Sequence, residues 1–301
     1  VRVLVLRALG LGDLLTAVPA LRGLRRAHPG AEITLAAPGW LADAVDRIDA
    51  VDRLLPTEGL VPIDYDSPDL AVNLHGRGPQ STALLRDTHP SRLITHGVHV
   101  PWPAHQHEVL RWCRLLAQFG IACDPDDLHL PPLPVPLPRT DDIVVHPGAS
   151  HGARRWPAER FAEVVRALGS EVVVTGSPDE EPLVHEVAQG RRTRVGDLAG
   201  LLDLVAGARL VLCGDTGVAH VATAYRTPSV VLFGPVSPAE WGPRSGPHRV
   251  LWHGTTGDTF ADRPDPGLLG ITADEVLAAA RSLLGGGPWP GSASSARAMS
   301  G

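Results

Sequence analysis

Short apolar runs and longer mixed stretches alternate along this chain. RVLVLR, EITLAA and LAVNLHG in the first half, and IVVHPG, EVVVTG, RLVLCG and PSVVLFG in the second, are dense in Val, Ile, Leu and Ala. Such runs fit strands covered on both faces, as in a parallel sheet. Between them the apolar positions recur at helical spacing. Glu108 to Phe119 is the clearest case, with Val109, Trp112, Leu115, Leu116 and Phe119 as its apolar set. The same period predicts helices from Leu14 to Ala27, from Trp40 to Ile48, over PAERFAEVVRALG, LLDLVAGA and VAHVATAYR, and from Ala273 to Leu284. Pro19 falls inside the first of these and should kink it or delay its regular start. Strands alternating with helices give βαβ units and a parallel-sheet α/β fold.

One block breaks the pattern. DLHLPPLPVPLPRTDD carries five prolines within eight residues, which forbids helix or central strand and makes a semi-rigid extended connector. The expected organisation is an N-terminal α/β domain over 1–130, a proline-rich linker over 131–140 and a second α/β domain over 141–270. A helix over 271–284 and a tail over 285–301 follow, the tail's Gly- and Ser-rich composition predicting disorder. Two such domains on a stiff connector place a cleft between two sheets. Ligands of open α/β sheets bind beyond the carboxyl ends of the strands, so the cleft is where chemistry is expected.

Composition narrows the function. With 44% hydrophobic and 20% charged residues, the 301-residue chain is of soluble globular type. Its 27 basic residues, all arginine, are outnumbered by 33 acidic ones, and a net charge of −6 offers nucleic acid no basic field. Three cysteines without CxxC spacing imply neither a disulfide framework nor a thiolate zinc site. The opening apolar run ends at Arg7, too short for a signal-peptide core or a membrane span. A cytoplasmic location is expected, with peripheral contact at the inner face of the cytoplasmic membrane left open.

Candidate chemistry lies in the glycine-bearing turns that end the strands. In GLGD, Gly10 and Gly12 start a GxGxxG pattern, but Leu15 stands where the third small residue belongs. The second strand ends at Ala37-Pro38, without the acidic residue that grips a ribose, and no lysine exists for a Walker loop. Asp13 then has two readings: an N-cap accepting from the next turn's amides, or a general base at the cleft rim. CGDTGVAH ends a strand and opens a helix, so free amides near Asp215, Thr216 and Gly217, with His220 on the same face, can cradle a phosphate. HPGASHGARRWP adds Ser150 and the pair Arg154 and Arg155, either able to clamp diphosphate oxygens. TGSPDEE presents Asp179, Glu180 and Glu181, one of which can accept from ribose hydroxyls. His96, His99, His105 and His107 lack regular ligand spacing, and no metal site is expected.

Taken together, GLGDLLTAVPALRGLRRAHP, HPGAS with RRWP, GDTGVAH and PSVVLFGPVSP resemble the heptosyltransferase family of glycosyltransferases, family nine, over the chain to about Leu284. The resemblance implies a GT-B architecture: two Rossmann-like domains facing across a cleft. It implies an acceptor-side N-terminal half, whose loop holds Gly10 and Gly12, and a C-terminal half that binds a nucleotide-diphospho-sugar, typically an ADP-sugar. It further implies metal-independent, inverting transfer of a sugar, heptose in the best-known members, to a glycan, lipid-linked glycan or small-molecule hydroxyl. No cofactor beyond the nucleotide sugar is implied. Asp13 matches the family's general base, and Glu180 its ribose-binding carboxylate. Arg154 falls where a lysine often reaches the donor phosphates, with Arg155 as rival. Asp215, Thr216, Gly217 and His220 match the donor loop. The alternatives are a nucleotide-sugar-binding protein without transfer activity, or a GT-B-like sugar epimerase.

Overall fold

The computed structural model describes residues 1–97, 99–131 and 140–285. Most of the proline block, and the tail beyond Gly285, lie outside the described residues. Among the described residues there are two sheets. The first holds β1 (Arg2–Leu6), β2 (Glu32–Ala37), β3 (Arg53–Pro56), β4 (Leu70–Asn73) and β5 (Leu93–Ile94), in the order β3-β2-β1-β4-β5. The second holds β6 (Ile143–His146), β7 (Val172–Gly176), β8 (Arg192–Val195), β9 (Leu210–Gly214), β10 (Ser229–Leu232) and β11 (His248–Leu251), in the order β11-β10-β9-β6-β7-β8. All recorded pairings are parallel, with Val3 beside Ile33 and Leu70 in one sheet and Val144 beside Val173 and Val211 in the other. Each sheet therefore reverses strand order next to its first strand, between β1 and β4 and between β6 and β9. Those reversals are the crevices where doubly wound sheets bind ligands.

Helices α1 (Leu11–Thr16), α2 (Val18–Ala27), α3 (Ala42–Val45), α4 (Gln80–Arg86) and α5 (Glu108–Ala117) belong to the first lobe. The second carries α6 (Ala158–Leu168), α7 (Glu181–Ala188), α8 (Leu198–Gly207), α9 (Gly217–Ala224), α10 (Pro238–Trp241), α11 (Pro266–Gly270) and α12 (Ala273–Leu284). The central strands are covered on both sides: Val3, Leu4, Val5 and Leu6 are wholly buried, as are Val144, Val145 and Leu210 to Leu212. Burying each Leu or Val side chain stabilises the fold by roughly 1.5–3 kcal/mol. α12 closes the second core, its Val276, Leu277 and Ala280 joining Val230 and Leu232.

Some elements depart from the sequence expectation. The helix expected from Leu14 to Ala27 begins earlier, at Leu11, and is interrupted at Ala17, where Pro19 enters the first turn of α2. In place of a helix from Trp40 to Ile48 there is a 3₁₀ turn over Gly39–Leu41 followed by the single turn of α3. β3, β5, β8 and β11 carry no buried apolar run that would announce them. β8 reads RTRV and is mostly exposed. They are outer strands held by backbone pairing to an already formed sheet.

The lobes meet along α1 and α9. Leu11 packs over Gly217 so closely that a β-carbon at Gly217 would lie 3.0 Å from its own. Away from this seam, Arg47 bonds Asp203 at 2.7 Å and the Tyr225 hydroxyl at 3.0 Å, and the Leu130 amide donates to the Ala224 carbonyl at 3.1 Å.

Candidate active site

A cleft of about 950 Å³ opens between the lobes, outside the carboxyl ends of β1, β6, β7 and β9. Gly10, Gly12, Asp13, Ser150, Arg154, Glu180, Asp215, Thr216, Gly217 and His220 all line it. Residues from four separate strand-end turns are thus gathered into one space. Arg155 is the exception: its side chain is exposed, its Nε donates to the Ala149 carbonyl at 3.0 Å, and it is not among the lining residues.

Asp13 is not an N-cap. Gly10, fully extended, caps α1, so Asp13 is the third helical residue and reaches back to accept from the Gly10 amide at 3.3 Å. Its other oxygen accepts from Arg7 Nη2 at 3.3 Å, and the side chain remains 28% exposed to the cleft. Burial raises its proton affinity above the ordinary carboxylate value, against the pull of Arg7 and Arg154, while Glu108 adds to the rise. The result is a carboxylate more basic than a surface aspartate.

Opposite stands the turn after β9. Thr216 caps α9, and helix geometry leaves the amides of Gly217 and Val218 without partners inside the helix. Asp215 is buried and pairs with Arg154 at 3.4 Å. Its carboxyl is pushed up to about 6, chiefly by burial and in part by Asp13, with Arg154 opposing. Two polar atoms in this corner are buried without a hydrogen-bond partner: Arg154 Nε and Thr216 Oγ1. A buried donor without an acceptor costs about 1–3 kcal/mol, so atoms left in this state beside a cleft mark where a ligand would bind. His220 is held neutral, its imidazole lowered to about 4 by burial and neighbouring cations. Its edge faces Gly12, and its ring centroid lies 6.1 Å from that of Trp241.

Glu180 closes the far end. Its Oε2 accepts from the Ser177 amide at 3.0 Å and hydroxyl at 3.1 Å, which fixes the carboxylate. Oε1 lies against Gly148, where a β-carbon would overlap it. The strand-end glycine of HPGAS is therefore needed for Glu180 to approach. Exposed aromatic faces rim the mouth: Trp40 (55% exposed) from the first lobe and Phe260 (71% exposed) from the second. Sequence reasoning passed over Trp40, Trp241 and Phe260, and also His146, Arg194 and Asp197, which line the cleft. It also missed Arg7 and Glu108, which stand behind Asp13. A charged residue ending a buried strand, as Arg7 does, was the available signal. The histidines between 96 and 107 go elsewhere: His96 packs on Trp102 and Trp112, His105 meets Glu240, and His107 bonds the Gly242 carbonyl. Among the described residues no three His, Cys, Asp or Glu side chains group as metal ligands, and no helix is long and apolar enough to cross a membrane.

The signature of "Glycosyltransferase family 9 (heptosyltransferase)" matches residues 82–262, more than half of the chain. The chain belongs to glycosyltransferase family 9. Lipopolysaccharide heptosyltransferase 2 of Escherichia coli strain K12 is 25% identical, over an alignment covering 94% of this chain and 98% of that protein. Among solved structures, the family 9 glycosyl transferase from Veillonella parvula superposes with a TM-score of 0.77 at 22% identity, covering 94% of this chain and 97% of that one. The E. coli ADP-heptose lps heptosyltransferase II gives a TM-score of 0.72 at 23% identity, covering 94% and 98%. The two facing lobes are thus those of the GT-B fold, and this family 9 member is a glycosyltransferase.

Proposed function

We propose that this chain moves a heptose-type sugar from an ADP-linked donor to a hydroxyl of a glycan acceptor, with inversion and without a metal. The observation that carries the reading is the opposition across one cleft of Asp13, a carboxylate with raised basicity, and the unpartnered donors Arg154 Nε and Thr216 Oγ1. In-line displacement at an anomeric carbon needs a base on the attacking side and a stabilised leaving group on the other. Asp13 takes the proton of the acceptor hydroxyl as its oxygen bonds to the anomeric carbon. The bond from that carbon to the diphosphate oxygen breaks, and its electron pair leaves with ADP. Arg154, the Thr216 hydroxyl and the first amides of α9 hold the charge that develops on the diphosphate. Neutral His220 can give one N–H to the same group. Glu180 Oε1 accepts from ribose hydroxyls, and Ser150 contributes at the same rim.

The first lobe presents the acceptor and the second holds the donor. The acceptor is a lipid-linked glycan of the kind named for the relatives, taken up in the cytoplasm at the inner membrane face. Turnover of ADP-heptose with a lipopolysaccharide-core acceptor in the presence of EDTA tests the reading. ADP release and a new glycosidic bond of inverted configuration are expected. Binding of ADP-heptose without transfer to any glycan acceptor would overturn it.

A further inference from the structure

Behind Asp13 lies a charge cluster that the reaction as written does not use. Glu108 opens α5 with its carboxylate almost wholly buried. Its Oε1 accepts from Arg7 Nη2 at 3.0 Å and Trp112 Nε1 at 2.9 Å, and its Oε2 from Arg111 Nε at 2.9 Å. Arg7, at the end of β1, is 1% exposed. Its Nε donates to the Asp13 carbonyl at 3.0 Å, its Nη1 to the Leu74 carbonyl, and its face lies 4.9 Å from the Trp112 ring. One nitrogen, Nη2, is shared by Glu108 at 3.0 Å and Asp13 at 3.3 Å. The nearer anion is the one that does not line the cleft.

We propose that Glu108 is a positioning residue for the transfer: by engaging the Arg7 nitrogen that also reaches Asp13, it keeps that guanidinium from neutralising the base. The inference rests on reading Asp13 as the base. An unshared buried cation beside a carboxylate favours its ionised form strongly, which makes it a poor proton acceptor. Glu108 offsets that cation. The other groups around Asp13 cannot do so. Arg154 adds positive charge, while Asp215 is tied to Arg154. His220 and His75 are both held near 4, hence neutral at pH 7. Arg111 faces Glu108 from the far side, and pulls it away from Arg7.

The test is the pH profile of Glu108→Gln beside the unaltered chain. The base works ionised, so kcat/KM falls as pH drops through the Asp13 midpoint. In Glu108→Gln that acid limb should move down by roughly one pH unit, with the plateau several-fold lower, and Glu108→Asp should recover part of both. The carboxyl resonance of Asp13, followed by ¹³C NMR against pH, should shift in the same direction. An acid limb and an Asp13 titration both unmoved in Glu108→Gln would overturn the proposal. If Glu108→Gln does not fold, Arg111→Gln is read instead: it leaves Glu108 more fully on Arg7, and an upward shift supports the proposal while no shift refutes it. The NMR titration needs no turnover. An altered midpoint together with full activity of Asp13→Asn would therefore leave the coupling standing and remove the base.

Discussion

Gly12 and His220, one on each lobe, touch edge to backbone: a β-carbon built on Gly12 would stand 2.7 Å from His220 Cδ2 and 3.2 Å from Nε2. The contact is made where α1 and α9 bring their N-termini together, with Leu11 over Gly217 beside it. Gly12 is required here by a close approach; it is not among the residues with positive φ. Gly12→Ala should leave both sheets folded, since Gly12 itself buries no side chain, yet force the imidazole or the seam, where Leu11 and Val218 share one buried apolar cluster, to shift. A misplacement of this size costs about tenfold or more in kcat/KM. Unchanged kinetics with an unchanged far-ultraviolet spectrum would show that the seam tolerates the methyl group.

Replacing Asp13 by Asn removes the proposed proton acceptor while keeping the shape. We expect a loss of roughly 2–4 kcal/mol in transition-state stabilisation, read as a fall in kcat with little change in donor affinity. In the unaltered chain, burial places the acid limb of kcat/KM above the ordinary aspartate value of 3.8. A steady-state pH series checks both statements.

The two arginines of RRWP should separate cleanly. Arg154→Met is expected to weaken ADP binding by roughly 10–100-fold, because a partly buried guanidinium facing a diphosphate makes charge-assisted bonds. Arg155→Met, whose guanidinium holds Ala149 outside the cleft, should bind ADP as the unaltered chain does. Isothermal titration calorimetry with ADP distinguishes them, and equal losses would return Arg155 to the site.

Asp215 predicts a pH dependence of stability with a definite sign. Its carboxyl titrates at about 6 in the fold against 3.8 as an ordinary aspartate. Between those values the folded chain holds a proton that the unfolded chain has lost, so this group's contribution to stability falls as pH rises through the window. Above about 6 the decline is complete. Asp215→Asn should lack that decline and stand closer to its acid stability at pH 7. Urea midpoints at pH 4 and pH 7 measure it, and identical slopes for the two proteins would contradict the assignment.

The parts of the fold legible in the chain were those with two-sided burial. RVLVL and LVLCG must be central strands, because each is buried along all or nearly all of its length. The glycine turns that follow them had to lie at the carboxyl ends of sheets, and from there the cleft residues could be named. Outer strands were not legible. RTRV is mostly exposed and HRVL half exposed, so only pairing with an existing neighbour makes them strands. The start of α1 was misplaced for a local reason: the extended Gly10 lets the helix begin at Leu11, and Asp13 then serves the turn from inside it. Nothing local could join Arg7 to Glu108. They are 101 residues apart, and a lone arginine and a first-turn glutamate each have routine explanations.

The groups proposed to grip the nucleotide all come from one lobe. Glu180 is anchored by Ser177, and Arg154 by Asp215, both within the second lobe. The donor can therefore dock on a surface already shaped for it, while the partner carrying the nucleophile has to find the opposite wall. Under the proposed function the order of arrival is expected to be unequal: nucleotide sugar first, alcohol second, and spent nucleotide last to depart.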